Sequence, residues 1–177
     1  MIRNALPTDA KAIAQVHVSS WQEAYRDLIP ADYLNSLGAM LAKREAHWVR
    51  AIEAGESCVL VAEVNDQVVG WISVGASRDE DVAGGNVGEV LAIYVLAGYW
   101  QTGVGLALWK AGLQWLEQQG YECLTLWVLS RNERAIRFYR RAGCTEEPGS
   151  ERTLERGGAL LLEVRYHLSL APLSKET

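Results

Sequence analysis

Gly103 and Gly105 stand one residue apart in "YWQTGVGLALW", at the mouth of an apolar run long enough to be a helix. A glycine inside a helix costs up to about 1 kcal/mol relative to alanine. The chain therefore either turns tightly there or lets something approach where a Cβ would stand. The first N–H groups of a helix lack internal partners and carry the positive end of its dipole. Bare amides at such an end hold an anion, and phosphate is the natural one. The alternative is that both glycines serve only a turn and close packing of helix on sheet. A dinucleotide fingerprint is not met, because Leu108 stands where a third small residue is needed, and no Walker lysine follows.

These glycines need a strand before them and a helix after them, and the surrounding sequence supplies both. "GEVLAIYV" reads as a strand over Gly88 to Val95, and the helix from Gly103 stops at Gly120. On that helix Lys110, Gln114, Glu117 and Gln118 form a narrow polar wedge, while Val104, Leu106, Leu108, Trp109, Leu113, Trp115 and Leu116 cover most of the rest. Such a helix is buried on several sides. "CLTLWVL" is a further strand, and Asn132 caps a helix that ends at Gly143. Upstream, Ile2 to Leu6 is a short strand, and Thr8 is placed to cap a helix running to about Tyr25. Pro30 breaks that helix, Asp32 starts another piece, and "AKREAHWVRAIEAG" is a helix ending at Gly55. "SCVLVAEVNDQVVGWISVG" is a hairpin about Asn65-Asp66, "SRDEDVAGGN" a polar loop, and "ERTLERGGALLLEVRYHLSL" a terminal hairpin about Gly157-Gly158. The organisation is α/β, without repeats or linkers.

The 177 residues suit one domain, 1–177, with a sizeable core. The net charge of −5 argues against a general nucleic-acid binder. Cys58, Cys123 and Cys144 are odd in number and lack C-x-x-C spacing, so they read as reduced thiols of a cytoplasmic protein. No apolar run is long enough for a signal core or a membrane span. His17, His47 and His167 show no metal spacing.

With these motifs in view, the chain resembles the GNAT superfamily of acyl-CoA-dependent N-acetyltransferases. "GEVLAIYVLAGYWQTGVGLALWKAGLQWL" is similar to its acetyl-CoA motif, a strand leading to an R/Q-x-x-G-x-G/A loop and a helix. "LTLWVLSRNERAIRFYRRAGC" is similar to its second cofactor motif, N-x-x-A-x-x-F-Y-x-x-x-G-F. "IRNALPTDAKAIAQVHVSSWQEAYRDLIPADYL" is similar to a bacterial branch with H-x-x-S-W-x-x-x-Y-x-x-x-I-P. The family's Arg or Gln falls on Trp100, its Pro on Ala97 and its last Phe on Cys144. The resemblance implies an α+β fold with a mixed central sheet of six or seven strands flanked by helices. It implies acetyl-CoA as co-substrate, without a metal, and a primary amine of a small molecule or peptide as acceptor. It leaves a homodimer open.

The reaction needs a neutral amine, a stabilised oxyanion and a proton for the departing thiolate. Resemblance puts Glu89 at the place of the base, acting directly or through water; a salt-bridged strand glutamate is the plain alternative. It puts Tyr139 beside the thioester sulfur as the acid, against a reading as a core anchor. The cofactor would lie on Ile93, Val95, Trp100, Gln101, Thr102, Gly103, Val104, Gly105, Asn132 and Tyr139. Ile93 and Val95 would pair with the pantetheine arm, and a backbone N–H near Val95 would polarise the carbonyl. Asn132 also reads as a plain helix cap. Trp21 and Tyr25, four apart on one helix face, could wall the acceptor site or simply pack. Arg137, Arg140 and Arg141 read as a solvated face. No cysteine is placed for a covalent intermediate, so direct transfer in a ternary complex is expected. The rival reading is a non-catalytic acyl-CoA-binding sensor or assembly module, kept alive by Trp100 in the arginine's place.

Overall fold

The computed structural model describes residues 1–82 and 85–170. Its strands are β1 (Ile2–Asn4), β2 (Cys58–Val64), β3 (Gln67–Ala76), β4 (Val87–Val95), β5 (Cys123–Leu129), β6 (Thr145–Glu146), β7 (Arg152–Arg156) and β8 (Ala159–Ser169). Its α-helices are α1 (Ala10–Ala24), α2 (Ala31–Ser36), α3 (Leu41–Ala54), α4 (Val104–Gln118) and α5 (Glu133–Arg141). All eight strands join one mixed sheet in the order β1-β2-β3-β4-β5-β8-β6, with β7 on β8. The count passes the expected six or seven because β6, two residues long, also pairs with β8. Only β4 and β5 run parallel.

The turns form where the local chemistry demands them. Asn65 and Asp66 both take positive φ, 49° and 61°, as a two-residue hairpin between right-twisted strands requires. Gly55, at φ 65°, ends α3 by exposing its last carbonyls to a left-handed cap. The start of α1 differs from the sequence expectation. A 3-10 turn, Pro7–Asp9, precedes it, and neither Thr8 nor any other side chain caps the helix. Asp9 is drawn away instead: its carboxylate accepts the Leu6 amide at 2.7 Å and pairs with Arg3 at 2.7 Å. The polar loop after β3 contains a short 3-10 turn, Glu80–Val82; its residues 83 and 84 lie outside the described residues.

Helices cover both faces of the sheet. On one, Leu108, Trp109 and Leu116 of α4 pack with Ile72, Leu124 and Leu126. Gly112 sets their approach, since a Cβ there would stand 2.9 Å from Ile72 Cδ1. Leu106, expected on the covered part of α4, is 46% exposed, because the helix turn puts it on the same face as Lys110 and Glu117 of the polar wedge. On the other face, Ile13 and Ala14 of α1 and Trp48 of α3 pack on Val61 and Trp71. A smaller cluster, Val18, Ile29, Leu34 and Leu37, reaches Leu161 of the terminal hairpin.

The feature that makes a site lies between β4 and β5. They pair only at Val87↔Cys123, Gly88↔Leu124 and Glu89↔Thr125, though both strands run on. A bulge at Leu91, between the pairs Val74↔Val90 and Ser73↔Ala92, bends β4 just beyond the last of these pairs. Past Glu89 the two strands part.

Candidate active site

The parted strands enclose a cleft of about 470 Å³, walled by Leu91 and Ile93 of β4, Trp127 and Leu129 of β5, and Asn132 and Tyr139 of α5. On its other edge β4 stays paired with β3 as far as Val95. Leu96 N–H donates to Val69 O at 2.9 Å. In an antiparallel ladder bonded and non-bonded pairs alternate, so the backbone groups of Ile93 and Val95 turn away from β3 and toward the cleft. No strand meets them there, since β5 has left. The Val95 carbonyl is taken up locally, by Trp100 Nε1 at 2.8 Å and Ser20 Oγ at 3.3 Å. What remains on this edge is backbone able to pair with an extended ligand.

At the far end of β4 the chain turns through Ala97–Tyr99 into the glycine loop. Gln101 and Gly103 both take positive φ, 62° and 92°. Gly103 is thus required by its own backbone, as the turn reading holds. Gly105 is not: a Cβ there would meet Phe138 and Val95 only at 3.8 and 3.9 Å, ordinary contact distances. Close helix–sheet packing is served by Gly112 instead. The first bond of α4 runs from Ala107 N to Gly103 O, and no side chain caps this end. The amides of 103–106 precede that bond, so a fifteen-residue helix presents them bare. Thr102 Oγ1 donates to Tyr99 O at 2.7 Å, which braces the loop without covering it. Trp100 ties the loop to β4 and carries on its ring the guanidinium of Arg134, 3.5 Å from the centroid. A guanidinium from α5 thus stands beside Trp100.

Glu89 is 1% exposed at the foot of the cleft. Its carboxylate accepts the Arg78 amide at 2.9 Å and Arg78 Nη2 at 2.6 Å. Arg78, not Glu89, lines the cleft. The salt-bridged reading of Glu89 therefore describes its contacts, and any route from it to the cleft passes through Arg78 or water. Opposite it in register, the buried Thr125 Oγ1 lacks a partner among the described residues, which is the kind of group an ordered water satisfies. Arg78 is itself held by its loop. Asp79 accepts Trp127 Nε1 at 3.0 Å and pairs with Arg165, which also binds Asp81 and Glu147. Arg165 holds the Asp81 and Glu147 carboxyls below the usual carboxylate range.

Tyr139 lies in the cleft wall, 8% exposed, its ring 5.6 Å from that of Trp109. Burial raises its phenol above the ordinary value, and no hydrogen bond contributes, so it stands protonated. Phe138 packs edge-on against Trp109 and lies outside the cleft lining. Asn132 caps α5 through Oδ1, which accepts Ala135 N–H at 3.2 Å, and it also lines the cleft.

At the other mouth, Trp21 and Tyr25 meet at 5.1 Å in a T-shaped pair and both line the cleft. They also pack on the cluster around Ile29 and Leu34, so wall and core are one. Among the cleft-lining residues that sequence reasoning missed are Tyr94, Arg78, Arg134 and Trp127. Strand alternation with Ala92 marks Tyr94, and its place after Asn132 marks Arg134; Arg78, set by a loop, carries no such signal. His17 stacks on Tyr94 at 4.9 Å, behind the cleft wall. The three cysteines are free thiols outside the cleft lining, Cys58 pushed up by burial to about 11 and Cys144 to about 12. Such thiols are poor nucleophiles. Among the described residues no helix is long and apolar enough to cross a membrane, and no three His, Cys, Asp or Glu gather as a metal site.

The chain is similar to known proteins in sequence and in fold. Residues 15–144 match the acetyltransferase (GNAT) family. The chain is 37% identical over 164 residues to the uncharacterized N-acetyltransferase YuaI of Bacillus subtilis (strain 168), covering 92% of this chain and 89% of that one. Its fold is similar to that of the PaiA N-acetyltransferase of Thermoplasma acidophilum in complex with coenzyme A: TM-score 0.71, 19% identity, 92% and 96% of the two chains. It is also similar to YncA of Salmonella typhimurium, described as a putative acetyltransferase with its cofactor acetyl-CoA, at TM-score 0.70 and 20% identity over 100% and 97%.

Proposed function

The chain belongs to the acetyltransferase (GNAT) family, and from that premise we propose that it moves the acetyl group of acetyl-CoA directly onto a primary amine of a small molecule or peptide. The observation that carries the reading is the parting of β4 and β5, which frees the backbone of Ile93 and Val95 beside a cleft lined by Ile93 and Tyr139, in the strand that leads on to the bare amides of α4.

The pantetheine arm pairs with β4 as an added strand, and the pyrophosphate rests on the amides of 103–106. Arg134, held on Trp100, supplies the positive charge. Asn132 faces the arm from α5. The Val95 amide points at the thioester oxygen and stabilises the oxyanion as it forms. The acceptor ammonium gives a proton to Glu89 through water, which the burial of that carboxylate behind Arg78 requires. The freed amine forms the C–N bond, the C–S bond breaks, and the sulfur takes a proton from Tyr139; the nitrogen's remaining excess proton replaces it. Trp21, Tyr25 and Tyr94 wall the acceptor. The whole chain, 1–177, acts as one domain in the cytoplasm, as a monomer or homodimer.

Tyr139→Phe tests the assignment. It removes one hydroxyl and keeps the ring, so acetyl-CoA affinity and thermal stability should change little. Turnover should fall on the order of 10²-fold, as for other positioned acids. Unchanged turnover, or a loss of stability in its place, removes Tyr139 from the chemistry.

A further inference from the structure

The protein carries a net charge of −5, yet its cleft is lined by Arg78, Arg134, Arg152 and Arg156 against one carboxylate, Glu163. Two of these cations are neutralised. Arg78 pairs with Glu89, and Arg152 pairs with Glu163 while stacking on Trp127 at 3.6 Å. Arg134 and Arg156 have no carboxylate partner among the described residues.

The two free cations stand on different elements. Arg134, in α5, sits on the ring of Trp100, in the loop that leads into α4. Arg156 ends β7, and its hairpin is pressed onto α2: a Cβ on Gly157 would stand 2.5 Å from Tyr33 Cβ. Arg156 therefore belongs to the wall that contains Trp21 and Tyr25, not to the cofactor's end. Its guanidinium donates only to the neighbouring Glu155 carbonyl, at 2.8 Å, and is otherwise exposed. Glu163, the one carboxylate among the cleft-lining residues, is already taken by Arg152. A polyamine would enter against unbalanced cations.

We propose that the acceptor amine belongs to a small molecule that also bears an anionic group, a carboxylate or a phosphate, and that Arg156 on the β7–β8 hairpin receives that group. This rests on the acetyl-transfer reading. Arg156 acts as a specificity residue: it orients the acceptor by its acid and leaves the amine to reach the thioester.

The test is a matched series of amines with acetyl-CoA: β-alanine and its amide, phosphoethanolamine and ethanolamine, and spermidine. Thiol release gives kcat/KM for each, and calorimetry gives binding to the CoA-loaded protein. The acid-bearing member of a pair should be preferred about tenfold or more, as hydrogen bonds to charged groups allow. The better pair tells carboxylate from phosphate. In Arg156→Gln the preference should fall toward one, and Arg156→Lys should keep most of it. Equal use of acid and amide, a preference for spermidine, or a ratio unmoved by Arg156→Gln overturns the proposal. Selective binding of the acid without any turnover upholds the anion site and overturns acetyl transfer instead. Neither binding nor turnover of the acid-bearing amines overturns the anion site.

Discussion

His17 should make this protein lose stability in mild acid, by an amount that can be worked out. Its ring is enclosed by Tyr94, Trp21 and Trp71, with centroids at 4.9, 5.5 and 5.7 Å. Nδ1 is buried without a partner, and Nε2 lies 3.4 Å from Arg44 Nη1. Burial, then the charge of Arg44 and the neighbouring His47, lowers its pKa from 6.5 to about 3. The folded state therefore refuses a proton that the unfolded state accepts between these values. There the unfolded state binds more protons, so stability rises with pH and falls as pH drops from 6.5 toward 3. At about 1.4 kcal/mol per pH unit, the loss between pH 6.5 and 4.5 comes to about 2 kcal/mol, the first half-unit being only partly effective. His17→Phe keeps the stacking and abolishes the titration. Urea unfolding followed by tryptophan fluorescence at pH 6.5, 5.5 and 4.5 compares the two proteins. Paired carboxylates such as Asp9 contribute the same slope to both, so the difference between the curves isolates His17. The wild type should lose about 2 kcal/mol more than the variant over this range. Parallel curves would refute the claim that the ring is held neutral behind the cleft wall.

Two further outcomes concern the site itself. Gly103→Asp, by charge and by strain at its positive φ, and Gly105→Val, by bulk beside Phe138 and Val95, should each weaken acetyl-CoA binding about tenfold or more while the far-ultraviolet circular dichroism shows the fold intact; unaltered affinity in both by calorimetry sinks the phosphate reading. Glu89→Gln should lower turnover near neutral pH and recover part of it at high pH, where the amine is already neutral, and a pH–rate profile superimposable on wild type excludes Glu89 as the base.

Much of this site could be read in the residues. "GEVLAIYV" followed by Gly103 and Gly105 marks a strand running into a helix mouth, because glycine and apolar periodicity act locally. Asn132, Gly55 and Asn65-Asp66 announce their caps and turns for the same reason. What stayed hidden depends on contacts between distant segments. Arg134 meets Trp100 only because α4 and α5 pack against each other. Arg78 reaches Glu89 from a loop that Arg165, 86 residues on from Asp79, holds in place. Thr8 misled as a cap because Arg3 and the Leu6 amide organise Asp9 first. The role of Gly105 could be separated from that of Gly112 only by knowing what lies within reach of each missing Cβ.

The most direct test of the account is to count both products of one reaction. Incubated with acetyl-CoA and a mixture of primary amines, the protein should release CoA thiol and form N-acetylated amine in equal amounts, with no acetyl group retained on the protein by mass spectrometry. Thiol release without acetylated amine, or acetyl-CoA bound and left intact, would contradict direct acetyl transfer.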